Sequence, residues 1–210
     1  MEKTYLDIDN WNRREIFTHF RSLADPTFAT VVNIDVTNVH SICKIKQQSF
    51  FTTYLHECTK ALNSVENFRY RIEEDKVTVY EKLDASATIL REDKTFGFSF
   101  IQFDEDYEVF NANFIKEKER ILNSTNLFPP KYSLGCYHCS AIPWFTFTSH
   151  KEPVSGDKNS SVPQLSFGKV FKANSKLLMP VAVNVNHALV DGYHVGKFFE
   201  NFQNGLDKID

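Results

Sequence analysis

Leu177, Met179, Val181, Val183 and Val185 recur at every second position, so an extended chain from Leu177 to Asn186 lays one apolar row against a core. Thr27 to Val36 alternates in the same way. Clustered β-branched and aromatic residues predict further strands at Lys76 to Glu81, Ser86 to Arg91, Thr95 to Phe103, Gly135 to Ser149 and Gln164 to Lys172. Helical spacing marks four other segments. Asn10 is placed to cap a helix carrying Trp11, Arg14, Phe17 and Phe20 toward Leu23, with Pro26 stopping it. Phe51 to Leu62 reads as an amphipathic helix, Asp106 to Leu122 as the longest one, with its charges outward, and Asp191 to Leu206 as the closing one. The pattern predicts an α/β (α+β) two-layer sandwich, a mixed sheet covered by helices on one side. Residues 150–163, rich in Ser, Lys, Pro and Asp, form the one long loop.

The strand from Leu177 runs into His187-Ala-Leu-Val-Asp191-Gly192. His187 continues the apolar row, so its ring is expected against protein, where the neutral imidazole is favoured and can take a proton from a hydroxyl or thiol. A histidine delivered from a rigid strand onto the turn before a helix is a candidate general base. Asp191 then admits two readings: it orients His187 in a triad, or it caps the helix that follows.

His-x-x-x-Asp-Gly followed by Tyr193-His194-Val195-Gly196-Lys197-Phe198 resembles the C-terminal signature of the chloramphenicol acetyltransferases, whose superfamily includes the catalytic domain of dihydrolipoamide acyltransferases. Trp11-Asn-Arg13-Arg14-Glu15-Ile-Phe17 resembles the family's N-terminal motif, and Ser140-Ala-Ile-Pro143-Trp144 its central Ser-x-x-Pro-Trp strand. The resemblance implies an acetyl-CoA-dependent O-acetyltransferase acting on the primary hydroxyl of chloramphenicol, built as a homotrimer in which each subunit completes its neighbour's site. It further implies His187 as base and Ser140 as the donor to the tetrahedral oxyanion. Asp191 would pair with Arg13 rather than with His187, whose ring would be held by its own backbone carbonyl. Phe20 and Phe28 fall at acceptor-binding positions, and Trp144, Ser166 and Lys169 on the coenzyme A side.

Three departures from the family pattern concern the acceptor. Asn186 stands where most relatives have a first histidine, Phe20 where drug-acetylating members commonly have tyrosine, and residues 150–157 replace an expected Phe-Asn-Leu-Asn segment. The same chemistry on another hydroxylated small molecule is therefore an alternative, as is a catalytically silent trimer that sequesters a ligand. Transfer to a thiol or amine, as in the dihydrolipoamide branch, is disfavoured by the lack of a lipoyl domain and linker.

Composition narrows the class. The 210 residues are 42% hydrophobic with 20 phenylalanines and no Pro/Gly/Ser linker, which fits a single catalytic domain over residues 1–210. A net charge of −3 without a basic run argues against nucleic acid. No signal-peptide core or membrane-length apolar stretch is present, so a cytoplasmic protein is expected. Four cysteines without framework spacing fit a reducing compartment. Cys136-Tyr-His138-Cys139 lies in a strand-like segment where positions three apart face opposite ways, so no metal is expected there.

Overall fold

A computed structural model describes residues 2–153, 156–157 and 159–210. Its elements in chain order are Lys3–Tyr5 (β1), Arg14–Arg21 (α1), Thr27–Asp35 (β2), Thr37–Lys46 (α2), Phe50–Asn63 (α3), a short 3-10 turn Glu66–Arg69, Tyr70–Glu73 (β3), Lys76–Tyr80 (β4), Asp84–Leu90 (β5), Phe96–Phe98 (β6), Tyr107–Leu122 (α4), Cys136–Ile142 (β7), Gln164–Gly168 (β8), Phe171–Ala173 (β9), Lys176–Asn186 (β10) and Gly192–Asp207 (α5).

The main sheet has the order β2-β10-β8-β7-β5-β6, with β9 beside β10, and β1-β4-β3 forms a separate small sheet. β7 runs parallel to β5 and β8, while the other pairings of the main sheet are antiparallel, so the sheet is mixed as expected. Register sorts its two faces. Val181 pairs with Phe167, Val183 with Leu165, Leu165 with Cys139 and Cys139 with Ala87. These side chains share one buried cluster with Tyr54, Leu55 and Cys58 of α3 and Phe198 and Phe202 of α5. The opposite face carries Ser86, His138, Ser140, Gln164, Ser166 and Asn184. A hydrophobic face under helices and a polar face turned away from them make the two-layer sandwich.

Several elements depart from the sequence pattern for identifiable reasons. The first helix begins at Arg14, with Arg13 at its N-cap and no side-chain cap. Asn10 is not that cap because it lies four residues before Arg14, where its backbone and side-chain amides donate to Asp7 instead. The predicted strand from Gly135 to Ser149 ends at Ile142, where Pro143 has no N–H to continue a ladder. The predicted strand from Gln164 to Lys172 breaks at residues 169–170, opposite Pro180 of β10. A Cβ on Gly168 would approach the Pro180 ring to 2.6 Å and the Phe147 ring to 2.8 Å, so glycine permits the close crossing there. Of Thr95 to Phe103 only Phe96–Phe98 is strand, with one isolated bridge between Ala85 and Ile101. The loop expected at 150–163 falls partly outside the described residues.

β10 is buried on both faces from Met179 to Asn186, although alternation suggests one wet face. Its even positions are covered: the Asn184 amide donates to Gln164 at 2.8 Å and the Asn186 amide to the Ser160 carbonyl at 3.0 Å. Buried amides hydrogen-bonded in this way cost little. No described helix is long and apolar enough to cross a membrane.

Candidate active site

His187 stands immediately after β10, where its backbone N–H donates to the Pro26 carbonyl at 2.8 Å. Asn186 holds the turn from both sides: its side chain accepts from the Ala188 N–H at 3.0 Å, and its carbonyl accepts from the N–H groups of Leu189 and Val190 at 3.1 and 3.0 Å. Ala188, Leu189 and Val190 are all buried, and the Asn67 amide donates to the Leu189 carbonyl at 2.9 Å. Burying a Leu or Val side chain contributes about 1.5–3 kcal/mol. The turn that presents His187 is therefore anchored by packing as well as by hydrogen bonds.

The imidazole lies between two phenylalanines. Phe20 of α1 stacks on it at 3.9 Å between ring centroids with planes 6° apart, and Phe28 of β2 lies at 4.6 Å, tilted by 45°. Phe28 pairs with Val185 in register, so the ring is on the apolar face that alternation predicts. Nδ1 is buried and has no hydrogen-bond partner. The bond to the histidine's own carbonyl implied by the family resemblance is thus absent, and ring stacking fixes the plane of the imidazole instead. Nε2 is the nitrogen left to exchange a proton.

The Asp191 carboxylate receives a hydrogen bond from Arg13 Nη1. This is the pairing the resemblance implies, made through one nitrogen, with Arg13 Nε and Nη2 buried and unpartnered. Burial by itself would raise the Asp191 carboxyl, but the hydrogen bond from Arg13 and the charges of His194 and Arg13 hold it below the usual aspartate range. His194 Nδ1 lies 2.8 Å from the same carboxylate and accepts from the Asp191 N–H at 3.2 Å. Burial pushes the His194 imidazole down even though Asp191 draws it up. The N-terminal motif explains itself around this pair: Trp11 packs on Phe17 and Tyr70 at 5.9 Å each, and the Arg13 guanidinium sits over the Trp11 ring at 5.8 Å.

Ser140 is elsewhere. It lies on the polar face of β7, where Thr88 Oγ1 donates to its Oγ at 3.2 Å. That leaves the serine's own hydrogen free to be donated. A cavity of about 210 Å³ opens at Ser140, lined also by Thr88, Phe96, Phe98, His138 and Glu152. Ser140 is level with Ser166 and Ser166 with Ala182. His187 is five residues beyond Ala182, so roughly 16 Å along the strand and about 10 Å across two strand spacings separate His187 from Ser140. Within one chain the two groups do not meet.

The three residues expected on the coenzyme side differ in accessibility. Trp144 is 63% exposed in the turn after β7, and Lys169 is exposed between β8 and β9, whereas Ser166 is fully buried and its Oγ donates to Glu152. Sequence reasoning missed Glu152 and His150 as individual residues: His150 Nε2 lies 3.0 Å from Glu152 Oε1, the same oxygen that accepts from Ser166. They come from an aperiodic segment, whose only signal was its departure from the family pattern. The cysteines are free and buried. Burial pushes the Cys58 and Cys139 thiols up and raises Cys136 to about 12, which makes them poor nucleophiles.

Comparison with known proteins gives one consistent result. The family model described as chloramphenicol acetyltransferase matches residues 1–203. A chloramphenicol acetyltransferase of Bacillus pumilus is 33% identical over 194 residues, covering 91% of this chain and 88% of the relative. One from Clostridium perfringens is 27% identical over 206 residues, covering 97% and 94%. A solved chloramphenicol acetyltransferase superposes with a TM-score of 0.87 at 26% identity, covering 98% of this chain and all of the other. The cubic core of the pyruvate dehydrogenase multienzyme complex gives 0.67 at 12% identity over 91% and 86%, a likeness of fold alone.

Proposed function

Because the chain belongs to the chloramphenicol acetyltransferase family and is thus an acyltransferase, we propose that it transfers the acetyl group of acetyl-CoA directly to the primary hydroxyl of chloramphenicol, as a homotrimer of a single 1–210 domain in the cytoplasm. The observation that carries this reading is the His187 ring, stacked between Phe20 and Phe28 with Nδ1 buried. A base so fixed has one nitrogen to offer to an acceptor held against the same aromatic walls.

The acceptor hydroxyl loses its proton to His187 Nε2 as its oxygen attacks the thioester carbonyl. Negative charge then gathers on the carbonyl oxygen, where a hydrogen bond from Ser140 is worth roughly 2.7–4 kcal/mol of barrier. Collapse of the intermediate breaks the carbon–sulfur bond, and the proton on His187 passes to the departing thiolate. Asp191 and Arg13 hold the turn and α1 together, which keeps Phe20 on the imidazole. The separation of His187 and Ser140 within one chain supports a shared site, in which Ser140 of one subunit faces His187 of the next. Exposed Trp144 and Lys169 suit the approach of the pantetheine arm and the phosphates of coenzyme A.

Steady-state release of free thiol from acetyl-CoA, with and without chloramphenicol, is the test. Drug-dependent release with intersecting double-reciprocal plots is expected for direct transfer in a ternary complex. Parallel plots indicate an acyl-enzyme, and turnover of other alcohols without chloramphenicol turnover assigns a different acceptor.

A further inference from the structure

The cavity at Ser140 has apolar walls from Phe96 and Phe98 and neutral polar groups from Thr88 and Gln164. His138, also in its lining, is pushed by burial below the ordinary histidine value, which favours its neutral form. Glu152 is the one carboxylic acid among the described lining residues. It is also a tethered one. Its Oε1 accepts from Ser166, whose side chain is fully buried, and faces His150 Nε2 at 3.0 Å, while His150 in turn rests on the Phe147 ring at 5.1 Å. Oε2 accepts nothing from the described residues. A carboxylate held by one oxygen, its other oxygen accepting nothing from the described residues, in a cavity with no second acid among its described lining, is a positioned acceptor for a donor on a bound molecule.

We propose that Glu152 is a specificity-determining residue of the acceptor site, selecting alcohols that carry a cationic amine besides the hydroxyl to be acetylated. This rests on the acetyltransfer reading, since it places the acceptor in the cavity beside Ser140. An ammonium on Glu152 Oε2 satisfies a carboxylate that is only 21% exposed and brings a counter-charge. An amide at the same point, as in chloramphenicol, offers one neutral N–H and brings no counter-charge. The proposal also gives a physical role to the departure of residues 150–153 from the family pattern: the segment brings a carboxylate and an imidazole to the mouth of the cavity.

Chloramphenicol and its free-amine form, with the dichloroacetyl group removed, share a skeleton and a primary hydroxyl and so make a matched pair of acceptors. Their kcat/KM ratio is measured for native protein, Glu152→Gln and Glu152→Leu, with thermal melts to confirm folding. Glu152→Gln keeps the size of the side chain and a polar partner for Ser166 while removing the charge. The amine-to-amide ratio is expected to fall at least tenfold in both variants, with KM for acetyl-CoA unchanged. A ratio within twofold of native in Glu152→Gln overturns the proposal, and so does an equal loss for both acceptors, which marks Glu152 as structural. Calorimetric titration of the free amine into the same three proteins reads affinity without turnover. Charge-dependent binding without acetyl transfer upholds the role of Glu152 while refuting the acetyltransfer reading, whereas affinities that do not change across the three proteins refute the role itself.

Discussion

Breaking the pair of Arg13 and Asp191 tests whether the turn that carries His187 is held by the first helix or by its own triad geometry. Asp191→Asn removes the ionic partner of a guanidinium whose side chain is only 13% exposed and whose Nε and Nη2 have no other partner. Loss of one member of a buried pair costs about 3–5 kcal/mol, and the 27% exposure of Asp191 places this one near the lower end. At about 2–4 °C per kcal/mol for a chain of this size, the melting temperature falls by roughly 6–12 °C. Arg13→Ala leaves the carboxylate with His194 as its remaining side-chain neighbour, and a similar or smaller loss is expected. The double variant leaves neither charge stranded, so its loss should be about 2 kcal/mol smaller than the sum of the singles. Melts are run at one protomer concentration, because an oligomer's midpoint depends on it. The sign with pH follows from the depressed Asp191 carboxyl. Its contribution is fully present above the unfolded value of 3.8 and is lost as pH falls through the lower folded value, so native and Asp191→Asn proteins should converge on acidification below that point. Additive losses at neutral pH would refute the pairing as an energetic unit and return Asp191 to a role beside His187.

His187→Ala should lower acetyl transfer by about 10²- to 10⁴-fold in kcat with gel-filtration elution unchanged, and activity within threefold of native would remove the histidine from the mechanism. Ser140→Ala is expected to cut kcat about 10²-fold with KM for acetyl-CoA unchanged, because its hydrogen bond strengthens only as charge develops; a raised KM at constant kcat would make it a binding residue. Phe20→Tyr restores a hydroxyl beside the imidazole, and a gain in kcat/KM for chloramphenicol of at most tenfold is expected from one hydrogen bond of about 0.5–1.5 kcal/mol. A loss instead would show that Phe20 serves chiefly as the stacking partner of His187.

The parts of this molecule legible in its sequence are those specified by contiguous residues. β10, the turn after it and α5 form one unbroken stretch, and its period-two and helical patterns place His187 and Asp191 within a residue of where they stand. α2 at Thr37–Lys46 carries only Val39 and Cys43 in the core, and the edge strands β1 and β3 are three and four residues long, so none of them presents enough periodicity to read. The break after β7 was legible in principle, since Pro143 sits inside the predicted strand. The partnership of Arg13 with Asp191, 178 residues apart, came from family resemblance and not from pattern.

Separation of parts also bears on how the site can change. The support of His187 comes from Phe20, Phe28, Asn186 and the pair of Arg13 and Asp191, all at the β2 and α5 end of the molecule. Ser140 is oriented by Thr88 on the polar sheet face, and Glu152 hangs over that same face from Ser166. The two groups share no residue. A substitution at residue 152 should therefore alter which acceptor is held without moving His187 or its turn, whereas loss of Asp191 should act on His187 through α1 and leave the Ser140 cavity as it is. If acceptor choice and proton transfer are governed by separate residue sets in this way, Glu152→Gln and Asp191→Asn should combine additively in kcat/KM for chloramphenicol. A coupling above about 0.5 kcal/mol would show that the two sets communicate.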